Sequence, residues 1–239
     1  MSRSDKLVII PAYNESECIV ETVNEIREKA PEFDYVVIND CSKDDTLKIC
    51  REHGFTVLNE PINLGIGGAV QTGYRYAFEH GYKYAVQVDG DGQHDPKYLS
   101  KMVQVMDEAK ADMVIGSRFI EKEGFQSSVS RRMGIKILAG IINFLTGQHI
   151  TDPTSGLRMI GERGIRLFAE DYPVDYPEPE SIVFLIRHDM EIVETPVIMR
   201  ERMGGVSSIS LRKGIYYMLK VTYAILIERL RKYEGDRLV

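Results

Sequence analysis

Between Leu7 and Gly116 the chain alternates short apolar runs with stretches of helical character, and this alternation restricts the fold more than any other feature. The apolar runs are Leu7 to Ile10, Tyr35 to Ile38, Phe55 to Leu58, Tyr84 to Val88 and Asp112 to Gly116. A helix opened by Asn14-Glu15-Ser16-Glu17 ends before Pro31, and a second runs from Asp44-Asp45-Thr46 to about His53-Gly54. A third follows the turn Asn63 to Gly68 and reaches His80-Gly81, and a fourth runs from Pro96 to about Ala109. Continuous apolar strands separated by such helices are βαβ units. They imply an α/β fold with a mostly parallel central sheet and helices on both faces. From about Ile150 the alternation stops. Tyr172 to Glu180, punctuated by Pro173, Pro177 and Pro179, is expected to be irregular, and Ile192 to Arg200 is expected to be a late strand.

In parallel sheets, ligands bind beyond the carboxyl ends of the strands. Four loops should therefore share one edge: Pro11-Ala12-Tyr13, Asn39-Asp40, Asn63 to Gly68, and Asp89 to Gln93. The last carries the most chemistry. Asp89 and Asp91, one residue apart between glycines, with the amide oxygen of Gln93, form a hard-oxygen set suited to Mg²⁺ or Mn²⁺. An EF-hand is excluded, because counting from Asp89 puts His94 where Gly is required and Ser100 where Glu is required. His94 is expected to support the turn rather than ligate. Gly65 and Gly67 fit the first two places of a dinucleotide fingerprint, but Val70 stands in the third. The turn reads instead as the start of a helix, whose terminus can face a phosphate.

The net charge of −6 is unevenly spread, with +5 from Arg200 to the end and −11 before it, so the tail is expected to meet an anionic surface. No nucleic-acid partner is expected. Cys18, Cys41 and Cys50 have neither metal nor disulfide-framework spacing, which suits a reducing compartment. The start of the chain lacks a signal-peptide pattern, and no apolar run approaches the ~20 residues that span a bilayer. Ile215 to Ile227 is apolar or aromatic except for Lys220 and Thr222. It is flanked by Arg212, Lys213, Arg229, Arg231 and Lys232, a pattern expected of an amphipathic helix in the headgroup region. Ile135 to Leu145 is a second apolar helix that could lie beside it or pack on the core.

The segments VIIPAYNE, VINDCSKDDT, NLGIGGA, VDGDGQHDP, GSRF, SRR, DPTSGLR and RMGGVSS, in this order, are similar to family 2 glycosyltransferases of the GT-A fold. Within that family the chain resembles the dolichyl- or polyprenyl-phosphate sugar synthases, and in particular small bacterial members without membrane helices. The resemblance implies a GT-A domain over 1–210 followed by a C-terminal amphipathic helix over 211–239. It implies that Pro11, Ala12, Tyr13, Glu15 and Asp40 hold the base and ribose of a nucleotide sugar. Asp89 and Asp91 match the acidic motif for metal and diphosphate, Gln93 a third metal ligand, and Arg202 a basic residue near the phosphates. Gly67 and Gly90 are expected beside the donor. Asn39 stands where many members have Asp, Cys41 where Gly or Asn is usual, and Ser208 where mannosyl members often have Lys.

The acceptor decides what further groups are needed. A sugar hydroxyl needs a carboxylate base, for which Asp152, Glu178 and Glu180 are available, whereas a lipid phosphate is already an anion and needs cations. Arg118, Arg131 and Arg132 flank a polar segment, Glu121 to Ser130, that reads as a lid, and they match the family's acceptor-phosphate positions. The resulting expectation is an inverting, metal-dependent transferase using UDP-N-acetylglucosamine or UDP-glucose, with GDP-mannose open, and a polyprenyl phosphate acceptor. Asp91, Arg118, Arg131, Arg132 and Asp152 are its catalytic candidates. It would work from the cytoplasm on the inner face of the membrane, with a small membrane protein as a further partner. The alternatives are transfer to a saccharide or protein hydroxyl, or a non-catalytic nucleotide-sugar-binding subunit.

Overall fold

The computed structural model of the chain describes residues 4–121, 123, 128–200 and 220–227. Seven strands form one sheet: β1 (Lys6–Ala12), β2 (Asp34–Asn39), β3 (Val57–Asn59), β4 (Tyr84–Gln87), β5 (Met113–Ser117), β6 (Arg158–Gly161) and β7 (Ile192–Pro196). Their order is β3-β2-β1-β4-β6-β5-β7. Every neighbouring pair is parallel except those made by β6, which runs antiparallel to both β4 and β5.

Residues alternate strictly between two cores, as the two-residue period of a strand demands. Leu7, Ile9, Val36, Ile38, Ala85, Met113, Ile115 and Ile160 face one layer, while Val8, Ile10, Val37, Val86, Val114 and Met159 face the other. The first layer contains α3 (Gly65–Glu79), α5 (Val129–Thr146), α6 (Glu162–Glu170) and α7 (Pro177–Arg187); the second contains α1 (Ile19–Lys29), α2 (Thr46–Glu52) and α4 (Leu99–Ala109). Leu7, Val8, Ile9 and Ile10 are wholly buried, and each such side chain contributes about 1.5–3 kcal/mol. Helix α3 lies close over β1 because Gly73 has no side chain. A Cβ there would stand 2.2 Å from Ile9 Cγ2.

Several expectations are corrected. The alternation continues past Ile150 through β6 and α6. The proline-rich segment holds the start of α7, with Pro177 and Pro179 in the first turn, where amides have no intrahelical acceptor and proline is tolerated. Pro96–Tyr98 is a single 3₁₀ turn capped by Asp95, and α4 follows it. Helix α5 extends well beyond Ile135 to Leu145, because Ser128 caps it at one end and Gly147, with φ 73°, ends it at the other. In the tail, 220–227 is helical. Val221 and Ile225 are buried in the core shared with Leu138 and Ile142, while Tyr223, Leu226 and Ile227 are exposed. Among the described residues no helix is long and apolar enough to cross a membrane.

Candidate active site

The first two loops are stitched together at the carboxyl edge of the sheet. Asn14 N donates to Ser42 Oγ (3.0 Å), Lys43 N to Asn14 Oδ1 (2.8 Å), Glu15 N to Thr46 Oγ1 (2.9 Å) and Ser16 N to Asp44 Oδ2 (3.1 Å). Pro11 and Ala12 are buried at the end of β1, Tyr13 is exposed and Glu15 half-buried. The Asp40 carboxylate accepts from Leu64 N (2.6 Å) and Gly65 N (3.0 Å), so these amides at the start of α3 are already held by an anion from β2. Gly67 has a packing duty. A Cβ there would stand 2.4 Å from Val174 O and 2.6 Å from Pro173 O, so the 173–174 backbone covers the face expected to lie beside the donor.

The carboxylate turn follows β4. Thr22 Oγ1 donates to Gly90 O (3.1 Å), and a Cβ at Gly90 would meet Pro11 O at 3.3 Å and Glu15 Cγ at 3.4 Å. The turn is thereby pressed against α1 and the β1 loop. Asp89 Oδ1 accepts from Gln87 Nε2 (2.9 Å), and Asp91 Oδ1 from Gln93 N (3.0 Å). Asp89 N donates to His94 Nδ1 (3.1 Å), so the proton of the neutral ring is on Nε2, 3.9 Å from Asp89 Oδ2. His94 thus braces the turn from a buried position, as expected. Among the described residues no three of His, Cys, Asp and Glu gather to enclose a metal ion. Two carboxylates and one amide oxygen on a single turn suit instead a hard cation completed by water and phosphate oxygens.

Arg118 and Asp152, two of the catalytic candidates, are paired with each other. Arg118 Nε and Nη2 each donate to the Asp152 carboxylate at 2.6 Å, and Arg118 N adds a third bond at 3.2 Å. Both side chains are buried. In this arrangement the Asp152 carboxylate is paired with a cation and the Arg118 guanidinium with a carboxylate. Glu178 is half-buried in the first turn of α7, and burial pushes its carboxyl up from the ordinary range. Arg131 and Arg132 sit in the first turn of α5, where Arg131 is exposed and Arg132 half-buried. Arg202, Ser208 and half of the expected lid lie outside the described residues.

Residues 7–168 match the profile of glycosyl transferase family 2. The chain belongs to this family. The UDP-N-acetylglucosamine–dolichyl-phosphate N-acetylglucosaminyltransferase of Methanococcus voltae is 28% identical, covering 96% of this chain and 98% of its own. The undecaprenyl-phosphate mannosyltransferase of Micrococcus luteus is 30% identical, covering 85% and 87%. A crystal structure of glucosyl-3-phosphoglycerate synthase from Mycobacterium tuberculosis with Mn²⁺, UDP-glucose and phosphoglyceric acid matches with TM-score 0.73 at 16% identity, covering 98% of this chain and 82% of that one. That likeness establishes the GT-A fold.

In this glycosyltransferase several residues that hold the site together are not among the candidate site residues. Glu194 on β7 accepts from Thr151 N, Thr151 Oγ1 and Asp152 N, all at 2.8 Å, which fixes the loop carrying Asp152. Arg158 is almost wholly buried and donates to Pro153 O, Ser155 O, Glu178 O and Ser181 Oγ, tying that loop to α7. A Cβ at Gly156 would stand 3.0 Å from Asp89 Oδ2, so the same loop closes against the carboxylate turn. The signal available for Arg158 is a lone arginine inside the apolar run Leu157-Arg158-Met159-Ile160. Gly156 and Arg158 lie in the segment DPTSGLR, but their contacts, and the part played by Glu194, are recognisable only once the loops are folded together.

Proposed function

We propose that this glycosyltransferase moves a sugar from a nucleotide sugar to a polyprenyl phosphate, inverting the anomeric carbon in a single in-line displacement. The observation that carries the reading is on α5. Val129, Met133, Ile137 and Phe144 are 70%, 59%, 53% and 88% exposed, at spacings that put them along one side of the helix. The same helix carries Arg131 and Arg132 in its first turn. Basic residues beside an exposed apolar stripe suit an acceptor whose phosphate stands at a membrane surface and whose chain lies in it. The inner, cytoplasmic face is the proposed location, because nucleotide sugars are supplied there, and the 220–227 helix adds Tyr223, Leu226 and Ile227 to the exposed apolar surface.

Asp89, Asp91 and Gln93 would hold Mg²⁺ or Mn²⁺. Such an ion, when bound, offsets the charge that develops on the departing diphosphate. Pro11, Ala12, Tyr13, Glu15 and Asp40 form the floor for the nucleoside, and Arg202 completes the phosphate contacts. Arg131 and Arg132 hold the acceptor phosphate, one oxygen of which attacks the anomeric carbon as the bond to the nucleoside diphosphate breaks. That oxygen carries no proton, so no base is needed. Asp152 and Arg118 position the loop against Asp89. UDP-N-acetylglucosamine is the favoured donor, since a relative aligned over 96% of this chain bears that sugar and nucleotide in its name.

A second reading, transfer to a saccharide hydroxyl with Glu178 as base, draws on the raised pKa of that carboxyl. The test is transfer of labelled sugar from a panel of nucleotide sugars, with Mn²⁺, into butanol-extractable polyprenyl phosphate. Label lost in Asp91→Ala and in Arg131→Ala/Arg132→Ala, but retained in Glu178→Gln, supports the phosphate acceptor. Label that survives the double arginine replacement overturns it.

A further inference from the structure

Arg200 sits just after β7, and both its guanidinium and its main chain engage elements around the carboxylate turn. Its guanidinium meets the Glu25 carboxylate on α1 at 2.7 and 3.0 Å, and Asp95 Oδ2 at 2.6 Å. Lys29 joins the same two carboxylates, at 3.0 Å from Glu25 and 3.5 Å from Asp95. The main chain of Arg200 pairs with one residue of the turn, since Arg200 N donates to Gln93 O (3.1 Å) and Gln93 Nε2 donates to Arg200 O (3.3 Å).

This last bond settles the direction of an amide. A carbonyl oxygen accepts only from a donor, so the nitrogen end of Gln93 must face Arg200, and Oε1 is the end turned away from it. Oε1 is also the end able to ligate a hard cation. We infer that Arg200 is a positioning residue: its two ion pairs anchor its backbone beside the turn, and its carbonyl holds Gln93 with Oε1 presented to the divalent ion. Arg200 does not touch the ion or the sugar. It acts through Gln93. The inference rests on the divalent-ion reading of the Asp89–Gln93 turn.

The experiment follows Mn²⁺ binding in the presence of UDP, through the electron paramagnetic resonance signal of free Mn²⁺, with melting temperature measured in parallel. Wild type, Gln93→Ala, Arg200→Met and the double replacement form a cycle. Loss of an outer partner of a metal site weakens metal binding by about tenfold or more. Arg200→Met and Gln93→Ala should therefore each weaken Mn²⁺ binding about tenfold, and the double replacement should be no weaker than either alone. Arg200→Lys, which keeps the charge and the backbone, should restore part of the loss, and it replaces Arg200→Met in the cycle if that variant does not fold. Wild-type affinity in a folded Arg200→Met protein, or losses that multiply in the double replacement, would overturn the inference. Failure of the divalent-ion reading looks different: wild type itself would take up no Mn²⁺ with UDP.

Discussion

Replacing Asp152 with asparagine leaves the Arg118 guanidinium buried opposite a neutral amide. The native pair has two 2.6 Å bonds from Nε and Nη2, and both side chains are less than a tenth exposed. Removing one partner from a buried pair typically costs about 3–5 kcal/mol, because the remaining charge has lost its compensation. Against a native stability of about 5–15 kcal/mol this is a large fraction. For a chain of this size each kcal/mol moves the melting temperature by about 2–4 °C, so the expected fall is roughly 6–20 °C. Thermal denaturation followed by circular dichroism measures it directly. Arg118→Met/Asp152→Leu should recover most of the loss, since it removes both charges together. If Asp152→Asn melted within about 2 °C of wild type and yet had no turnover, the pair would not be structural and Asp152 would be a chemical participant.

Other outcomes follow from single contacts. Gly67→Ala should destabilise by about 1–3 kcal/mol by pressing on the 173–174 backbone. Gly140→Ala, where nothing lies within 4 Å of the new methyl, should stabilise α5 by about 0.5–1 kcal/mol, and melting temperatures should move in opposite directions. Burial by itself would push the Glu25 and Asp95 carboxyls up, but hydrogen bonds and charge from Arg200, together with Lys29 and, at Asp95, the Lys97 amide, outweigh it and hold both below the usual range. Their contribution is therefore present above the unfolded pKa values near about 4 and is lost as the pH falls through the folded ones. Arg200→Met should accordingly show a shallower loss of melting temperature between about pH 5 and pH 3. Ile137→Glu/Phe144→Glu should abolish sedimentation with vesicles containing phosphatidylglycerol and leave the melting temperature unchanged. Undiminished sedimentation would remove α5 from the membrane contact.

The parts of the fold that the chain announces are those where one physical signal dominates. Strands β1, β2, β4 and β5 are apolar runs buried along most of their length, so their hydrophobicity is continuous and easily read. Strand β6 defeats that reading because it is short and opens with Arg158, a charge accommodated by carbonyls of the 153–155 loop and by Glu178 O and Ser181 Oγ of α7. Helix α7 was obscured by Pro177 and Pro179, which disrupt a helix interior but are harmless in its first turn. At the site, a turn after β4 over Asp89–Gln93 was legible because its glycines and carboxylates are neighbours in sequence. The Arg118–Asp152 pair spans 34 positions, and no spacing rule connects them. Gly67 resembled a phosphate-loop glycine, but its lack of a side chain serves the approach of Pro173 and Val174, which lie far away in sequence.

The most direct test of the proposed chemistry offers one labelled nucleotide sugar to two acceptors of the same chain length, a polyprenyl phosphate and the corresponding free polyprenol, and measures sugar transferred per minute with Mn²⁺ present. A site that holds an anionic nucleophile with Arg131 and Arg132, and needs no base, should label the phosphate and leave the alcohol unlabelled. It should lose that preference when both arginines become alanine. Equal labelling of the alcohol, or labelling of the alcohol that depends on Glu178, would contradict the account and make the enzyme a hydroxyl glycosyltransferase.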